Sequence, residues 1–531
     1  MGNYSFVVFI IVIACIWAYA YYRVRHIDKS NTEGYFLGGR SLPGFVIAGS
    51  MLMANLSTEQ IVGQNGLSFA VGMEVMAWEV VAAISCVILA LVFLPNYMKF
   101  GISTIPEFIE LRFDKSTRLV VSFLIQTGYM FAVLPVVLYS GSLVFTKLFL
   151  NGLVPGLSPY ESAIIVSTFI GIVGLLYLVF GGLSLAATSD SIYSAGLLVL
   201  GIAIPILGLM ALGDGNVLSG LSIIHEQVPQ KLNALGDIDS PAVPWPVLAF
   251  GLFFNTLFYW NTNQFIVQKT ISGKSLKEGQ KGVLWLSIFK LFGAFYLCLP
   301  GVIAFVLLKD KIQVADNAWP TLLGYVLPPW LYGIAGAIVF GVILSTFVAT
   351  LTSVTTLFSL DFYKGVFNPK ASEYQIVKVG KIAAVVVAAL AVISAPMIAY
   401  VPGGLYNFAQ EYLGFYNIPL ILVVLFGFFS KTVSSAGAKI CFLFHVVCYA
   451  ASKFLFPDIN FLYVLSVLPF MDLIVLVLAS KLWKADSEFQ FPDQLNKVNL
   501  EPWKYRNVFS TVTVIGVIVV YLIFSPIGLA S

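Results

Sequence analysis

What constrains this chain most is a succession of apolar stretches, each long enough to cross a bilayer. Fourteen can be marked, near 4–22, 43–69, 72–96, 118–148, 161–181, 189–212, 246–268, 283–308, 330–363, 377–400, 405–429, 437–456, 459–480 and 507–528. A hydrocarbon core about 30 Å thick takes roughly 20 apolar residues of helix. Inside it every backbone N–H and C=O must be satisfied by protein, which favours helices for runs of this length. Only 10% of the residues are charged, against about 25% in an ordinary soluble domain. The expectation is an all-α polytopic membrane protein of about fourteen transmembrane helices, with the lipid bilayer as its surroundings and no nucleic acid as a partner.

The placement of charge sets an orientation. With the N-terminus outside, the inward loops and their flanks hold twenty-three of the Lys and Arg residues, the outward side holds five, and Lys290 falls in mid-span. This is the asymmetry of the positive-inside rule, and an even number of spans then puts both termini outside. The first stretch, SFVVFIIVIACIWAYAYY, lacks a basic leader and a small-residue cleavage site, so it reads as a retained helix. Cys15, Cys86, Cys298, Cys441 and Cys448 all fall inside spans, with no spacing suited to a metal or a disulfide.

No linker divides the chain into soluble domains, and the longest outward segment, 213 to 243, is too short to be one. The tripeptide GKS at 273 to 275 is not a phosphate loop, because Gln268 stands where that motif needs glycine. The work of a carrier like this would therefore come from an ion gradient.

Two spans are interrupted by polar residues. ANLSTEQIVGQNG, 54 to 66, lies in the second span, and FFNTLFYWNTNQF, 253 to 265, in the seventh. Counting from the second span, these are the first and sixth helices of a five-plus-five arrangement. Inverted-repeat transporters break their helices at such matching positions, because unwound backbone can line a mid-membrane cavity. The alternative is that these amides and hydroxyls simply join helices within a bundle. The repeat reading divides the chain into an extra helix and inward loop (1–42), a first repeat (43–213), an outward loop with a second repeat (214–430) and peripheral helices (431–531).

Glu79, Lys290 and Asp190 lie within or at the edge of spans. A charge at a helix centre costs about 2.5–3.5 kcal/mol on insertion scales, so each should face a cavity or a partner. Glu79 with Lys290 reads either as a binding pair or as a brace between helices, and Asp190, just after FGGLS, reads either as a helix N-cap or as an ion-path residue. The ninth span carries Ser345, Thr346, Thr350, Thr352, Ser353, Thr355 and Thr356. Such hydroxyls bond back to the preceding turn or, facing freed carbonyls, supply the hard oxygen that sodium requires.

The segments YFLGGRSLPG (35–44), GISTIPEFIELRF (101–113), ANLSTEQ and LDFYKGVF (360–367) resemble the solute:sodium symporter family, and within it the bacterial sodium/galactose branch. The resemblance implies a five-plus-five inverted repeat of the leucine-transporter type with broken helices. It assigns sodium to the carbonyls of Met53, Leu56 and Val342 and the hydroxyls of Ser345 and Thr346, with Asp190 on the sodium exit path. Val348 and Ala349 stand where members with a second sodium site place hydroxyls, so one sodium per cycle is implied. For sugar it points to Gln60, Glu79, Lys290 and Gln410, with Tyr259 as an inner aromatic gate and Tyr406 toward the outer gate.

Four positions depart from that branch. Thr256 replaces an Asn, although Asn255 is adjacent; Ala82 replaces a Ser; Trp78 replaces a Tyr; and Gln64 replaces an outer-gate Met. Amides, a carboxylate and an ammonium together read a ring of sugar hydroxyls. The expected activity is sodium-driven import of a hexose such as galactose or glucose across a bacterial inner membrane. The rivals are symport of inositol, a uronate or a nucleoside, and a channel or sensor on the same fold. No nucleophile and base pair points to an enzyme.

Overall fold

The computed structural model describes residues 3–150, 154, 156–400, 405–484, 489–490 and 498–531. Among these residues there are helices and no strand. Nine helices are each long and apolar enough to cross a bilayer, and two bent pairs bring the number to eleven. One of the nine, Pro159–Leu212, is two spans joined at Gly182. The pairs Gly251–Asn261 with Gln264–Ile271 and Leu405–Leu413 with Asn417–Phe429 complete the fourteen stretches.

The helices that matter below are numbered in chain order: α1 Asn3–Val24, α2 Gly44–Asn55, α3 Thr58–Val71, α4 Ala77–Ile88, α5 Pro159–Leu212, α6 Gly251–Asn261, α7 Gln264–Ile271, α8 Leu276–Leu291, α9 Tyr332–Leu357, α10 Leu405–Leu413, α11 Asn417–Phe429, α12 Ser435–Leu455 and α13 Phe461–Leu482.

Burial separates a core from a lipid-facing periphery. In the apolar window of the span that contains α9, 89% of residues are buried, whereas in α1 and in the last helix, Arg506–Ile523, 17% are. An apolar helix that is buried all round belongs at the centre of a bundle. Helix α2 packs between α5 and α8, and α6 packs against α4. On the outside, α12 and α13 lie against each other, and α13 also touches α6 and α11.

Helices α2 and α3 meet at 57° across Leu56 and Ser57. Leu56 leaves helical geometry with ψ of 58°, and Ser57 is extended with ψ of 170°. The break is two residues wide, narrower than the polar run 54–66 that signalled it, because α3 resumes at Thr58 and carries most of the amides on helical backbone. The second break falls at Thr262 and Asn263, between α6 and α7. Gly182 has φ of 60° and ψ of −161°, a conformation in which only glycine is unstrained. A Cβ there would lie 2.7 Å from the carbonyl oxygen of Tyr35.

Candidate functional site

Both broken helices contribute to one small cavity in the middle of the bundle, lined by Asn55, Gln60, Trp78, Glu79, Asn255, Thr256, Tyr259, Trp260 and Gln410. Asn55 ends α2, Gln60 lies in the first turn of α3, Trp78 and Glu79 open α4, four residues come from α6, and Gln410 from α10. The cavity measures about 20 Å³. A water needs about 10–15 Å³, so the space admits a water molecule.

Its electrostatic centre is the pair Glu79 and Lys290, both at most 1% exposed. The Lys290 ammonium donates to Glu79 Oε2 and to Asn55 Oδ1 and sits 4.8 Å from the Trp260 ring centroid, within cation–π range. The Gln60 amide, oriented with its nitrogen toward the acceptors around it, donates to Glu79 Oε1 at 3.0 Å and to the Asn55 carbonyl at 3.2 Å, and its oxygen accepts from Asn55 Nδ2 at 3.1 Å. Gln64 Nε2, one turn further along α3, donates to Glu79 Oε1 at 3.4 Å. A buried ion pair is tolerable only when its remaining lone pairs and protons find such partners.

The opposite wall is held by neutral groups. Asn255 Nδ2 donates to Gln410 Oε1 at 3.3 Å, and Asn417 Nδ2 of α11 donates to Asn255 Oδ1 at 2.7 Å. The hydroxyls of Thr256 and Ser85 lie 3.0 Å apart. The ring of Tyr259 stands edge-on to Trp260 at 5.5 Å and to Phe265 at 5.8 Å. This wall presents amides, a hydroxyl and aromatic surface, the mixture usual in sites for small polar molecules.

A second cluster of oxygens lies where α2 ends against α9. The last carbonyls of a helix lose their intrahelical donors, and here the N–H of Ser57, which a continuous helix would give to Met53, goes to the Asn55 carbonyl at 2.8 Å. Thr346 Oγ1 lies 3.3 Å from the Met53 carbonyl oxygen, 3.4 Å from that of Ala54 and 3.4 Å from that of Val342. These separations exceed the 2.7–2.8 Å usual for O–H···O, and a single hydroxyl hydrogen serves at most one strong bond among the three. Ser345 Oγ is buried with no hydrogen-bond partner. Several hard oxygens share fewer hydrogens than they can accept, a donor set suited to a hard cation.

Asp190 lies within α5, eight residues beyond the Gly182 break, so it is not a helix N-cap. Its Oδ2 accepts from Ser50 Oγ at 2.9 Å and from Lys269 Nζ at 3.0 Å, and the same ammonium donates to the Ser50 carbonyl at 2.8 Å. Ser50 is one turn before the freed carbonyls of Met53 and Ala54 on α2. Lys269, counted from sequence among the inward-flank charges, is 1% exposed: the second break turns α7 so that its lysine points into the bundle.

The structure thus brings Gln60, Trp78, Glu79, Asn255, Thr256, Tyr259 and Gln410 to one cavity, with Lys290 and Gln64 bonded to Glu79 at its edge. It gathers Met53, Val342 and Thr346 at the oxygen cluster, with Ser345 beside them in α9 and Leu56 in the break itself. The side chain of Tyr406 lies outside the described residues. Sequence reasoning does not assign several contributors: Asn55 and Trp260, which the polar and aromatic runs containing them could flag; Ser50, Ser85, Asn417 and Lys269, which have no local pattern; and the Ala54 carbonyl, a main-chain group that no side chain announces.

Comparison with known proteins places this geometry. The model of the Sodium:solute symporter family matches residues 35–444. Among curated proteins, the chain is 40% identical over 529 residues to the uncharacterized symporter YidK of Escherichia coli (strain K12), covering 99% of this chain and 91% of that one. It is 32% identical over 438 residues to the sodium/glucose cotransporter of Vibrio parahaemolyticus, covering 78% of each. Among solved structures, that of a Na+-coupled sialic acid symporter in a substrate-bound outward-open state superposes with a TM-score of 0.79 at 19% identity, over 92% of this chain and 99% of that one. At that identity the likeness is one of fold.

Proposed function

We propose, from the premise that this chain belongs to the sodium:solute symporter family, that it imports a sugar together with one sodium ion by alternating access. The observation that carries this reading is the sharing of one broken helix by two sites. The freed carbonyls of Met53 and Ala54 face Thr346 just before the break, and Gln60 reaches Glu79 just after it.

Sodium, as the driving cargo, would be held by the carbonyls of Met53, Ala54, Leu56 and Val342 and the hydroxyls of Ser345 and Thr346. Its charge would fix the end of α2 and with it Asn55 and Gln60, which order the solute wall. Each ligand then biases the same conformational equilibrium, which is what coupling requires. Asp190, one turn along α2 from the freed carbonyls through its bond to Ser50, offers sodium a carboxylate on its way inward. One charge moved through 100 mV is worth about 2.3 kcal/mol, and a tenfold sodium gradient adds about 1.4 kcal/mol. Together these support roughly 500-fold accumulation at one sodium per solute.

The solute wall favours a neutral polyhydroxylated ring. Lys290 is engaged by Glu79 and Asn55, so a uronate carboxylate would have to compete with Glu79 for the ammonium. The neutral amides of Gln60, Asn255 and Gln410, now bonded to neighbouring side chains, would exchange those bonds for ring hydroxyls. The positive-inside asymmetry supports a multi-pass protein with both termini outside, and the Escherichia coli and Vibrio relatives favour a bacterial inner membrane as its location.

Radiolabelled galactose and glucose uptake into proteoliposomes, with and without an inward sodium gradient, tests the reading beside Ser345→Ala and Gln60→Ala. Sodium-dependent uptake lost in both variants is the expected result. Sodium-independent uptake would overturn the coupling. Uptake of myo-inositol in place of either hexose would move the substrate to a polyol.

A further inference from the structure

Outside the cavity, α12 and α13 bury an imidazole and a carboxylate that neither site uses. His445 and Asp472 are each 0% exposed. His445 Nδ1 lies 2.6 Å from Asp472 Oδ2, and its Nε2 lies 2.8 Å from the carbonyl oxygen of Gly414. A carbonyl oxygen can only accept, so Nε2 carries a hydrogen. A second hydrogen lies between Nδ1 and the carboxylate, whichever of the two atoms holds it. The pair therefore contains one proton more than a neutral imidazole beside an ionised carboxylate. Asp472 Oδ1 is buried without a partner, and an ionised carboxylate with one oxygen unpaired is costly there.

Gly414 sits at the joint between α10 and α11. In a continuous helix its carbonyl would accept the N–H of Ile418, but that N–H goes to Asn417 Oδ1 at 2.7 Å, which leaves the carbonyl to His445. The joint is closely packed: a Cβ on Gly414 would lie 2.5 Å from Tyr449 Oη, and Tyr449 Oη donates to the Glu411 carbonyl at 3.1 Å. Both sides of the joint bear on the cavity. Helix α10 brings Gln410 to its wall, and Asn417 of α11 fixes Asn255 at 2.7 Å.

We propose that His445 is a positioning residue for this wall: with two hydrogens on the His445–Asp472 pair, Nε2 donates to the Gly414 carbonyl and fastens the α10–α11 joint to the peripheral helices; when one proton is lost, the remaining hydrogen goes to Nδ1 against the Asp472 carboxylate, Nε2 turns a lone pair to that carbonyl, and α10 is released. The other titratable groups near the pair are Cys441, whose thiol donates to the Asp472 carbonyl at 3.5 Å, Cys448 and Tyr449 on α12 itself, and Glu411 of α10. Glu411 is held at 2.6 Å by Lys453 of α12, and Tyr416 lies in the joint.

The test is hydrogen–deuterium exchange of residues 405–416 in the full-length protein in lipid nanodiscs, at neutral and alkaline pH, with times scaled for intrinsic exchange. In the wild type this segment should exchange several-fold faster at alkaline pH. His445→Ala should exchange fast at both. His445→Gln, which keeps a donor for Gly414 but cannot titrate, should stay slow at both. Equal exchange of the wild type at the two pH values would overturn the proposal, and so would a His445→Gln variant that speeds up with pH as the wild type does. If His445→Ala fails to fold, the wild type and His445→Gln decide the matter between them. The readout uses no solute and no sodium, so it stands or falls apart from the transport reading.

Discussion

Removing the charge of Lys290 is the perturbation whose consequence the structure fixes most closely. The ammonium is fully buried and serves Glu79, Asn55 and the Trp260 ring at once. In Lys290→Met, Glu79 keeps the donors of Gln60 and Gln64 but loses its counter-charge, and Asn55 Oδ1 loses its donor. Leaving one partner of a buried ion pair uncompensated costs about 3–5 kcal/mol, and the two amides that remain on Glu79 place this case near the lower figure. Glu79→Gln should cost a comparable amount, because it strands the ammonium. The double variant Glu79→Gln with Lys290→Met strands neither charge. It should therefore be more stable than the sum of the two losses by about 0.5–3 kcal/mol, the usual coupling between residues in contact. Thermal unfolding of the four proteins in one detergent supplies the cycle, and solute uptake should be lost in all three variants. Additive losses of stability would refute the reasoning, since they would mean that the two charges do not compensate each other.

Three further outcomes follow from particular residues. Thr346→Ala deletes the hydroxyl that faces three carbonyls and should raise the sodium concentration for half-maximal uptake about tenfold or more, equivalent to about 1.4 kcal/mol, with little change in thermal stability. Gly182→Ala forces a side chain into a glycine-only conformation against the Tyr35 carbonyl and should lower thermal stability by about 1–3 kcal/mol. Burial pushes the Asp114 carboxyl upward, but the Lys439 ammonium, the Thr117 N–H and the Ser116 hydroxyl outweigh it and hold the group well below the usual carboxylate range. Its stabilising effect is therefore complete above the ordinary aspartate value of about 3.9 and fades as pH falls through the lower folded value. Asp114→Asn should be the less stable protein at neutral pH, with the difference narrowing on strong acidification in a thermal-shift series.

Much of the fold was legible because bilayer physics leaves few choices: a long apolar run becomes a helix, and amides within one mark a break. Asn55, Ser57 and Gln60 announced the first break in this way, and Asn261, Thr262 and Asn263 the second. The sequence did not say how narrow the breaks are, since helical backbone carries Gln60, Gln64 and Asn65 without interruption once their side chains find partners. Lys269 looked like an inward-flank charge because position along the chain does not reveal the turn that α7 makes after Asn263. Ala54 enters through its carbonyl, which every residue possesses, so nothing in its side chain points to it. His445 and Asp472 stood alone in apolar spans with no local spacing to connect them, and only the packing of α12 on α13 does so. The small volume of the cavity depends on how its side chains pack against one another, which composition does not encode.

The oxygens around Thr346 also differ from the cavity walls in how substitution can touch them. Three are main-chain carbonyls, of Met53, Ala54 and Val342, and no point change deletes a carbonyl so long as α2 still ends where it does. The cavity is walled by side chains, and each can be exchanged singly. On the proposed transport reading, a chain built in this way could revise what it accepts at Trp78, Thr256 or Gln410 while the carbonyls of Met53, Ala54 and Val342 pass unaltered from one variant to the next, leaving only Ser345 and Thr346 of the ion's ligands open to substitution. Diversity of solute and constancy of ion would then share one origin, the division of labour between backbone and side chain at a single helix break.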